Sequence, residues 1–565
     1  MKKIIIVGGV AGGASTAARL RRLDEHAEII LLERDEHISF ANCGLPYYIG
    51  ETIQNRNKLL VQTPEAMRTR FAIDVRVYSE VTAVHPDKKT ITINSKDRGQ
   101  YVEKYDYLVL SPGAKPIRPN IPGITSSRIF TLRNIPDTDR IKAFVDQDGT
   151  RRAVIVGGGF IGLEMAENLK ERGLEVSLVE AAPHILPPFD ADMAVLVERE
   201  LKENGIDLFL ADGVTSFQEQ ADTIAITLNS GKILVTDIVI LAIGVAPETT
   251  FLSGSGINLS QRGHIIVNDQ MQTSQQDIYA VGDAIEVVDF ISGRPTAIPL
   301  AGPANKQGRI AADNIAGISS RFEGSQGTSI LKVFSLTAAS TGNNERTLKN
   351  LGINYHIAIV HPNSHATYYP GSLPLTIKLL FDNSGHILGA QSIGLEGVDK
   401  RIDVIATVMR LKGTVADLTE LELAYAPPYS SAKDPVNMVG FVAENILSGL
   451  CDVFTYEQLA SFDTENTLLL DVRTETEFAN GNLPGAINIP VDELRQRLSE
   501  LDKEKLILVY CQVGLRGYIA SRILSQNGFC VKNMTGGYKS AAPHLVKSPV
   551  APCGMALDPE TQIMR

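Results

Sequence analysis

Short apolar runs closed by glycine set the rhythm of the chain. Lys3–Val7 (KIIIV) is a run of the kind that forms a strand buried on both faces, and it leads into Gly8-Gly9-Val10-Ala11-Gly12-Gly13. A helical segment follows over 14–23, with the basic residues Arg19, Arg21 and Arg22, and then a strand, Glu28–Leu32, that ends in Glu33. The order then recurs. Arg152–Val156 leads into Gly157-Gly158-Gly159-Phe160-Ile161-Gly162, a helix runs to about Arg172, and the strand Glu175–Val179 ends in Glu180. Tyr107–Leu110 and 238–244 are further apolar strands ending in turns, and 273–284 reads as strand, turn and helix start. Past residue 329 the strands 330–336, Leu375–Phe381 and 387–392 alternate with helices, one of them over 398–412. A new unit begins near Gly449-Leu450-Cys451-Asp452. In it, 468–473 and Leu506–Tyr510 read as strands, 474–478 as a helix start, 483–490 as the lead into an exposed helix, and 518–526 as a helix. The stretch 547–565, with three prolines and little periodicity, reads as a tail.

The two glycine turns carry the first chemistry. A strand, a glycine turn, a helix and an acid at the end of the next strand form the layout of a dinucleotide-binding unit. The glycines let pyrophosphate approach the helix N-terminus, and the acid accepts hydrogen bonds from ribose hydroxyls. The first turn has Val10 where the strict fingerprint has its middle glycine; the second is intact. Glu180 suits the 2'-hydroxyl of NADH and repels the 2'-phosphate of NADPH. Two such sites in one chain imply one tightly held flavin and one exchanging nicotinamide.

Composition narrows the setting. At 565 residues the chain holds roughly three to five domains. It is 44% hydrophobic and 21% charged, and its net charge of -11 argues against a nucleic-acid partner. No apolar run approaches the roughly 20 residues that span a bilayer, so no membrane contact is expected. The N-terminal apolar run enters a glycine turn directly and so reads as a strand rather than a secretory signal. Five cysteines without regular spacing point to a reducing, cytoplasmic setting. No metal site is assigned.

Cys43 lies in the stretch 38–48 (ISFANCGLPYY), shortly after the first acid, and the next cysteine is Cys451. A redox cysteine without a neighbouring partner must pair with something brought to it, such as a small thiol, a sulfane sulfur or oxygen. Cys511 closes the strand Leu506–Tyr510 and opens the loop Cys511-Gln512-Val513-Gly514-Leu515-Arg516-Gly517. A cysteine between strand and helix start faces backbone N–H groups that stabilise a thiolate or an anionic persulfide, and Arg516 adds positive charge. Cys451, Cys530 and Cys553 lack such settings.

In the order and spacing of these motifs, residues 1 to about 450 resemble the two-dinucleotide flavoprotein disulfide reductases. The resemblance implies an α/β fold with two Rossmann-like domains, an α+β dimerisation domain and a homodimer. It divides the chain into a FAD-binding domain in two parts (1–112 and 244–325), an NAD-binding domain (113–243) and a dimerisation domain (326–450). It implies FAD against Gly8, Ala11, Gly12, Gly13, Glu33, Arg34 and Asp283, and NAD against Gly157, Gly159, Gly162 and Glu180, with Gly244 a further cofactor-binding residue. SFANCGLPYY looks like the single-cysteine branch: coenzyme A-disulfide reductases, NADH oxidases, NADH peroxidases and persulfide reductases. There the thiolate sits at the flavin, which is expected to lower its pKa. The loops HATYYPG (365–371) and YAPPYS (425–430) resemble segments by which coenzyme A-disulfide reductases offer tyrosines from the partner subunit. That role carries to Tyr368 and Tyr425, with Tyr369 and Tyr429 as alternatives. Arg19, Arg22, Ser39 and Asn42 are the expected contacts of anionic coenzyme A; for the arginines, a solvated helix face is the competing reading. DVRTETEF, LPGAINIP and CQVGLRG, in that order, resemble a rhodanese domain (451–545), leaving 546–565 as the tail. Together these imply an enzyme of the coenzyme A-disulfide reductase/rhodanese type, including NADH-dependent persulfide reductases. The rivals are an NADH oxidase or peroxidase working through a Cys43 sulfenic acid, and a sulfur carrier or sensor.

Overall fold

The computed structural model describes residues 2–545; the expected tail and Cys553 lie outside the described residues. The internal repeat is real in three dimensions. Lys3–Val7 is the central strand of a five-stranded parallel sheet, flanked by Tyr107–Leu110 and Ile278–Ala280 on one side and by Glu28–Leu32 and Asp74–Arg76 on the other. Arg152–Val156 holds the equivalent place in a second five-stranded parallel sheet, with Glu175–Val179, Ile206–Phe209, Ile238–Leu241 and Ile129–Phe130. These strands are near-continuous aliphatic runs because helices cover both faces of such a sheet. The repeat extends further than the glycine turns. Each unit also carries a three-stranded antiparallel sheet, Ser79–His85 to Gly99–Lys104 in the first and Val214–Glu219 to Ile233–Thr236 in the second. The chain leaves the first unit through Ala114–Pro116 and returns through Val245–Pro247, and these two crossings pair antiparallel.

Residues 329–394 build a five-stranded antiparallel sheet in the order Ser329–Val333, Leu336–Gly342, Ile387–Gly394, Leu375–Phe381, His356–Val360. The expected strand 330–336 is instead a hairpin turning at Phe334, whose φ is +51°. Its second strand, LTAASTG, is rich in small polar residues and gives little apolar signal. The last unit is a five-stranded parallel sheet centred on Leu506–Tyr510.

Three further expectations shift. The helix start at the end of 273–284 is a turn into the strand Ile285–Val288, and the next helix is Ala301–Ile315. The exposed helix after 483–490 is a series of turns: Glu493 bonds back to Pro490, Leu494 to Val491 and Arg497 to Leu494, every one an i→i−3 contact. Val491 and Leu494, three apart, are both buried, and this spacing suits tight turns better than a 3.6-residue helix. The helices expected over 14–23 and 518–526 begin earlier, at Ala11 and Leu515.

The C-terminal unit is not left hanging on a linker. It docks on the edge strand His356–Val360, where Ile359 N–H donates to Thr535 Oγ1 (2.8 Å). The two ring nitrogens of half-buried His361 pair with Thr376 Oγ1 and Ser540 Oγ, both at 2.9 Å. Tyr518 Oη donates to Asn445 (3.2 Å), and Arg522 donates to the Leu450 carbonyl. Burial pushes the His361 imidazole down to about 3, so it is neutral throughout the physiological range.

Candidate active sites

Both glycine turns are shaped by contacts that a side chain would break. Gly8 has φ +92°, and a Cβ there would stand 2.1 Å from the Ser111 carbonyl oxygen; one on Gly13 would stand 1.8 Å from the Gly8 carbonyl oxygen. In the second turn Gly157 has φ +113°, and a Cβ on Gly162 would lie 2.0 Å from the Gly157 oxygen. Gly159, by contrast, has nothing within 4 Å of that position, so the turn presents an open backbone face. The acids are held alike. Glu33 Oε2 accepts from Gly9 N–H (2.9 Å), and Glu180 Oε2 accepts from Gly158 N–H (2.7 Å). Burial pushes Glu33 up from its ordinary value. Arg34 is oriented by a two-pronged pair with Glu248 (2.6 and 2.8 Å).

One cavity of about 1430 Å³ joins the two turns. Gly8, Ala11, Gly12, Glu33, Arg34 and Asp283 line it from the first unit. Gly157, Gly159, Glu180 and Gly244 line it on the side of the second turn. Gly13 and Gly162 do not reach it; their part is to let helix and strand approach. Cys43, Ser39 and Asn42 open into the same space. Cys43 sits in a single 3-10 turn, Asn42–Gly44, from which the short helix Leu45–Ile49 departs. It is a free thiol, and Asn42 Oδ1 beside it is buried without a partner. An orphaned acceptor and an open glycine face are what a ligand-lined cavity leaves in the protein alone. The chain's own groups act against the expected low pKa. Desolvation first, then the carboxylates of Glu164 and Asp283, push the Cys43 thiol up.

A second cavity of about 420 Å³ adjoins the first, with Ala11, Ser39, Val61 and Asn305 lining both. Arg19, Arg22 and Ser39 meet there, as the anion-contact reading requires, while Asn42 faces the larger cavity. Sequence reasoning missed Arg309, which the helix Ala301–Ile315 brings to the same pocket. Gly308 lets that helix close on the first one: a Cβ there would stand 2.5 Å from the Gly12 carbonyl oxygen. Arg19 is partly neutralised by Asp313 (2.8 Å), whereas Arg22 makes no ion pair among the described residues.

Tyr368 and Tyr425 come together, their hydroxyls 2.6 Å apart, on an exposed face and not in the cavity around their own Cys43. Buried Arg401 ties both loops down: it donates to the Ser364 carbonyl (2.7 Å) and pairs with Asp434 (3.0 Å), which in turn accepts from Ser430 Oγ (2.6 Å). Of the alternatives, Tyr369 packs edge-on against His365.

Cys511 is buried at the end of its strand, and Gly514, the residue before the helix Leu515–Gln526, donates its N–H to the Sγ (3.1 Å). Gly514 has φ +110°, the bend that aims this N–H at the sulfur. Arg516 does not offer a free charge: both of its terminal nitrogens bind Glu477 at 2.7 Å, which draws that carboxyl down to about 2. Arg473, buried against Asp471, reaches the loop through Gln512 (3.2 Å).

Residues 2–308 match the pyridine nucleotide-disulphide oxidoreductase family, 328–435 its dimerisation domain, and 455–542 a rhodanese-like domain. The chain belongs to the pyridine nucleotide-disulphide oxidoreductases. It is 40% identical over 447 residues to coenzyme A disulfide reductase of Staphylococcus aureus, across 79% of this chain and 100% of that protein. The crystal structure of reduced CoADR-RHD of Bacillus anthracis is similar over 96% of this chain and 98% of that one, at 53% identity and a TM-score of 0.94. An NAD-dependent persulfide reductase of A. fulgidus is similar over 95% and 99%, at 36% identity and a TM-score of 0.89. No described helix is long and apolar enough to cross a membrane.

Pyridine nucleotide-disulphide oxidoreductases work with FAD and NAD(H), and the two acid-tipped turns on one cavity fit that pair. The Glu180 carboxylate is fixed by the Gly158 and Ala182 N–H groups, and an acid at this place in a dinucleotide unit would repel a 2'-phosphate. Replacing Glu180 by alanine is expected to narrow the preference for NADH over NADPH by about tenfold in kcat/KM. Steady-state rates with each nucleotide check this; an unchanged ratio removes Glu180 from the selection.

Proposed function

We propose that the chain is an NADH-dependent, FAD-containing reductase of coenzyme A persulfide and coenzyme A disulfide, whose rhodanese domain supplies sulfane sulfur. The observation that carries this reading is Cys43 opening into the cavity that joins both glycine turns, next to an arginine-bearing pocket suited to a phosphorylated thiol. The activities named for the similar proteins support it. Gly8, Ala11, Gly12, Glu33, Arg34 and Asp283 hold FAD, with Gly13 shaping the turn. Gly157, Gly159, Glu180 and Gly244 hold NADH, with Gly162 shaping that turn. Arg19, Arg22, Ser39 and Asn42 bind coenzyme A. Bound FAD supplies the relay that carries the electron pair of NADH to sulfur on Cys43. The net reactions balance as CoA–S–SH + NADH → CoA–SH + HS⁻ + NAD⁺, and CoA–S–S–CoA + NADH + H⁺ → 2 CoA–SH + NAD⁺. Cys511 takes sulfane sulfur from a donor, Gly514 N–H steadies the anionic persulfide, and Arg516 with Glu477 braces the loop. The working unit is a homodimer in the cytoplasm, each protomer offering Tyr368 and Tyr425 to its partner's Cys43.

Anaerobic NADH oxidation with coenzyme A persulfide and coenzyme A disulfide side by side, with hydrosulfide quantified, tests the reading. Turnover with the persulfide and one hydrosulfide per NADH is expected. Cys511→Ala should keep that turnover but lose sulfur transfer from an external donor. No turnover with either substrate, together with oxygen consumption, would make the chain an NADH oxidase instead.

The shared hydrogen bond of Tyr368 and Tyr425 makes a further prediction. A phenol that protonates a leaving thiolate contributes about 10²-fold, so either Phe substitution should lower kcat by that factor. Because one hydrogen bond links the hydroxyls, the double variant should be little worse than either single one. Multiplicative losses in a rapid-mixing assay would mean that the two act independently.

A further inference from the structure

The segment 535–540 of the C-terminal unit is bonded on two sides. Toward the sulfur, Tyr538 N–H donates to the Cys511 carbonyl (2.7 Å) and Lys539 N–H to the Gln512 carbonyl (2.9 Å). Gly537, at φ +60°, lies so close that a Cβ there would stand 2.4 Å from the Cys511 carbonyl oxygen. Toward the reductase, Thr535 Oγ1 accepts from Ile359 N–H (2.8 Å) and donates to the Ile359 carbonyl (3.4 Å). Gly536 presses on the same residue, where a Cβ would stand 2.8 Å from Ile359 Cγ2. Ser540 Oγ then meets one ring nitrogen of His361 (2.9 Å). The backbone under the sulfur is thus clamped to the edge strand His356–Val360 and the residue after it. The other ring nitrogen meets Thr376 Oγ1 (2.9 Å) at the root of the loop that carries Tyr368, where Leu375 N–H also donates to the Pro362 carbonyl (2.9 Å). His361 is neutral, so both contacts are plain hydrogen bonds that a side-chain amide can replace one at a time.

We infer that His361, a residue of the reductase, is a positioning residue for Cys511: its bond to Ser540 holds 535–540 in place, and that segment holds the Cys511 loop so that Gly514 N–H stays aimed at the sulfur. The inference rests on Cys511 being the sulfur acceptor. The path is short and made of printed bonds at every step. His361 fixes Ser540 in the first turn of the helix Gly537–Leu545. That turn carries the two N–H groups bonded to the carbonyls of Cys511 and Gln512. Those carbonyls open the loop whose Gly514 has its N–H on Sγ (3.1 Å) and its carbonyl on Asn533 Nδ2 (3.3 Å). A persulfide on Cys511 needs that N–H where it is, because a backbone donor set in advance stabilises developing anionic sulfur without reorganising. Removing the single bond does not unseat the unit, since the helix Gly537–Leu545 also packs on Ala191–Glu203 of the second nucleotide unit.

The test changes only the reductase side and reads out at the sulfur, in the full-length holoenzyme. An asparagine at 361 keeps an amide near Thr376 and falls short of Ser540, whereas a glutamine reaches Ser540. Sulfur transfer is followed as thiocyanate from thiosulfate and cyanide, S₂O₃²⁻ + CN⁻ → SO₃²⁻ + SCN⁻, with Cys511→Ala as the blank. His361→Asn should lower kcat about fivefold at unchanged KM, the size of one coupled bond in a network. Amide exchange read by mass should quicken in the peptides over 511–517 and 535–540 and stay unchanged in the strand Leu506–Tyr510. NADH oxidation with coenzyme A disulfide should also stay unchanged, which separates the effect from general loss of fold. His361→Gln should restore both kcat and exchange. Ser540→Ala should reproduce His361→Asn, and the pair together should be no worse than either. Exchange and kcat of His361→Asn that superimpose on the wild type would overturn the inference, as would losses that multiply in the double variant. The two readings fail separately. Thiocyanate still formed by Cys511→Ala would sink the sulfur-acceptor reading, and exchange at 511–517 would still decide the clamp. Unchanged exchange in His361→Asn, with Cys511→Ala inactive, would sink the clamp alone.

Discussion

Cys43→Ser should lower NADH-dependent release of hydrosulfide and coenzyme A by at least about 10³-fold, while bound flavin and sulfur transfer at Cys511 stay unchanged. Serine fits the 3-10 turn Asn42–Gly44 without disturbing it, so the loss reports chemistry rather than folding. An oxygen in place of Sγ makes neither a mixed disulfide nor a persulfide, and Cys511 sits in a different unit with its own N–H donor. Among the described cysteines no other opens into the cavity that joins the two glycine turns, so none can stand in. Sulfide release persisting in the variant would place the reduction elsewhere in the chain.

Gly13→Val and Gly162→Val are expected to have opposite signatures. Each valine drives a Cβ to about 2 Å from a glycine carbonyl across its turn, at Gly8 or at Gly157, and backbone cannot yield as a flexible side chain can. The first forces the helix Ala11–Leu23 off its strand and opens the turn at Glu33; the protein should purify without yellow colour and melt lower. The second leaves that turn alone. It should keep its flavin and its reduction by dithionite, yet lose reduction by NADH. Flavin absorbance and anaerobic titration separate the two. Equal flavin loss in both variants would show that the turns do not serve separate nucleotides.

The parts of the molecule legible in the sequence were those governed by local rules. Aliphatic strands, the positive-φ glycines and the acids closing Glu28–Leu32 and Glu175–Val179 announce themselves within about thirty residues of chain, the span of one βαβ unit. The site residues brought in from afar were not legible. Arg309 reaches the pocket of Arg19 and Arg22 because Gly308 lets its helix close on Gly12. Arg516 read as positive charge added at the loop, and the pairing with Glu477 stayed hidden because that partner lies in another segment. The hairpin at Phe334 and the turns at 491–497 were missed for a different reason: small polar strands and three-residue spacings give periodicity little to detect.

The crossing pair Ala114–Pro116 and Val245–Pro247 carries a consequence for biosynthesis. The strand Tyr107–Leu110 takes its outer neighbour, Ile278–Ala280, from beyond the whole inserted unit. On the ribosome, the first sheet therefore stays one strand short, with an apolar edge exposed, until the second unit has been made. The inserted unit, whose sheet strands run without interruption from Ile129–Phe130 to Ile238–Leu241, can close first and hold the two crossings side by side. Synonymous codons that slow translation just past residue 247 would then favour correct folding, and the same pause placed before residue 129 would prolong the life of the open edge.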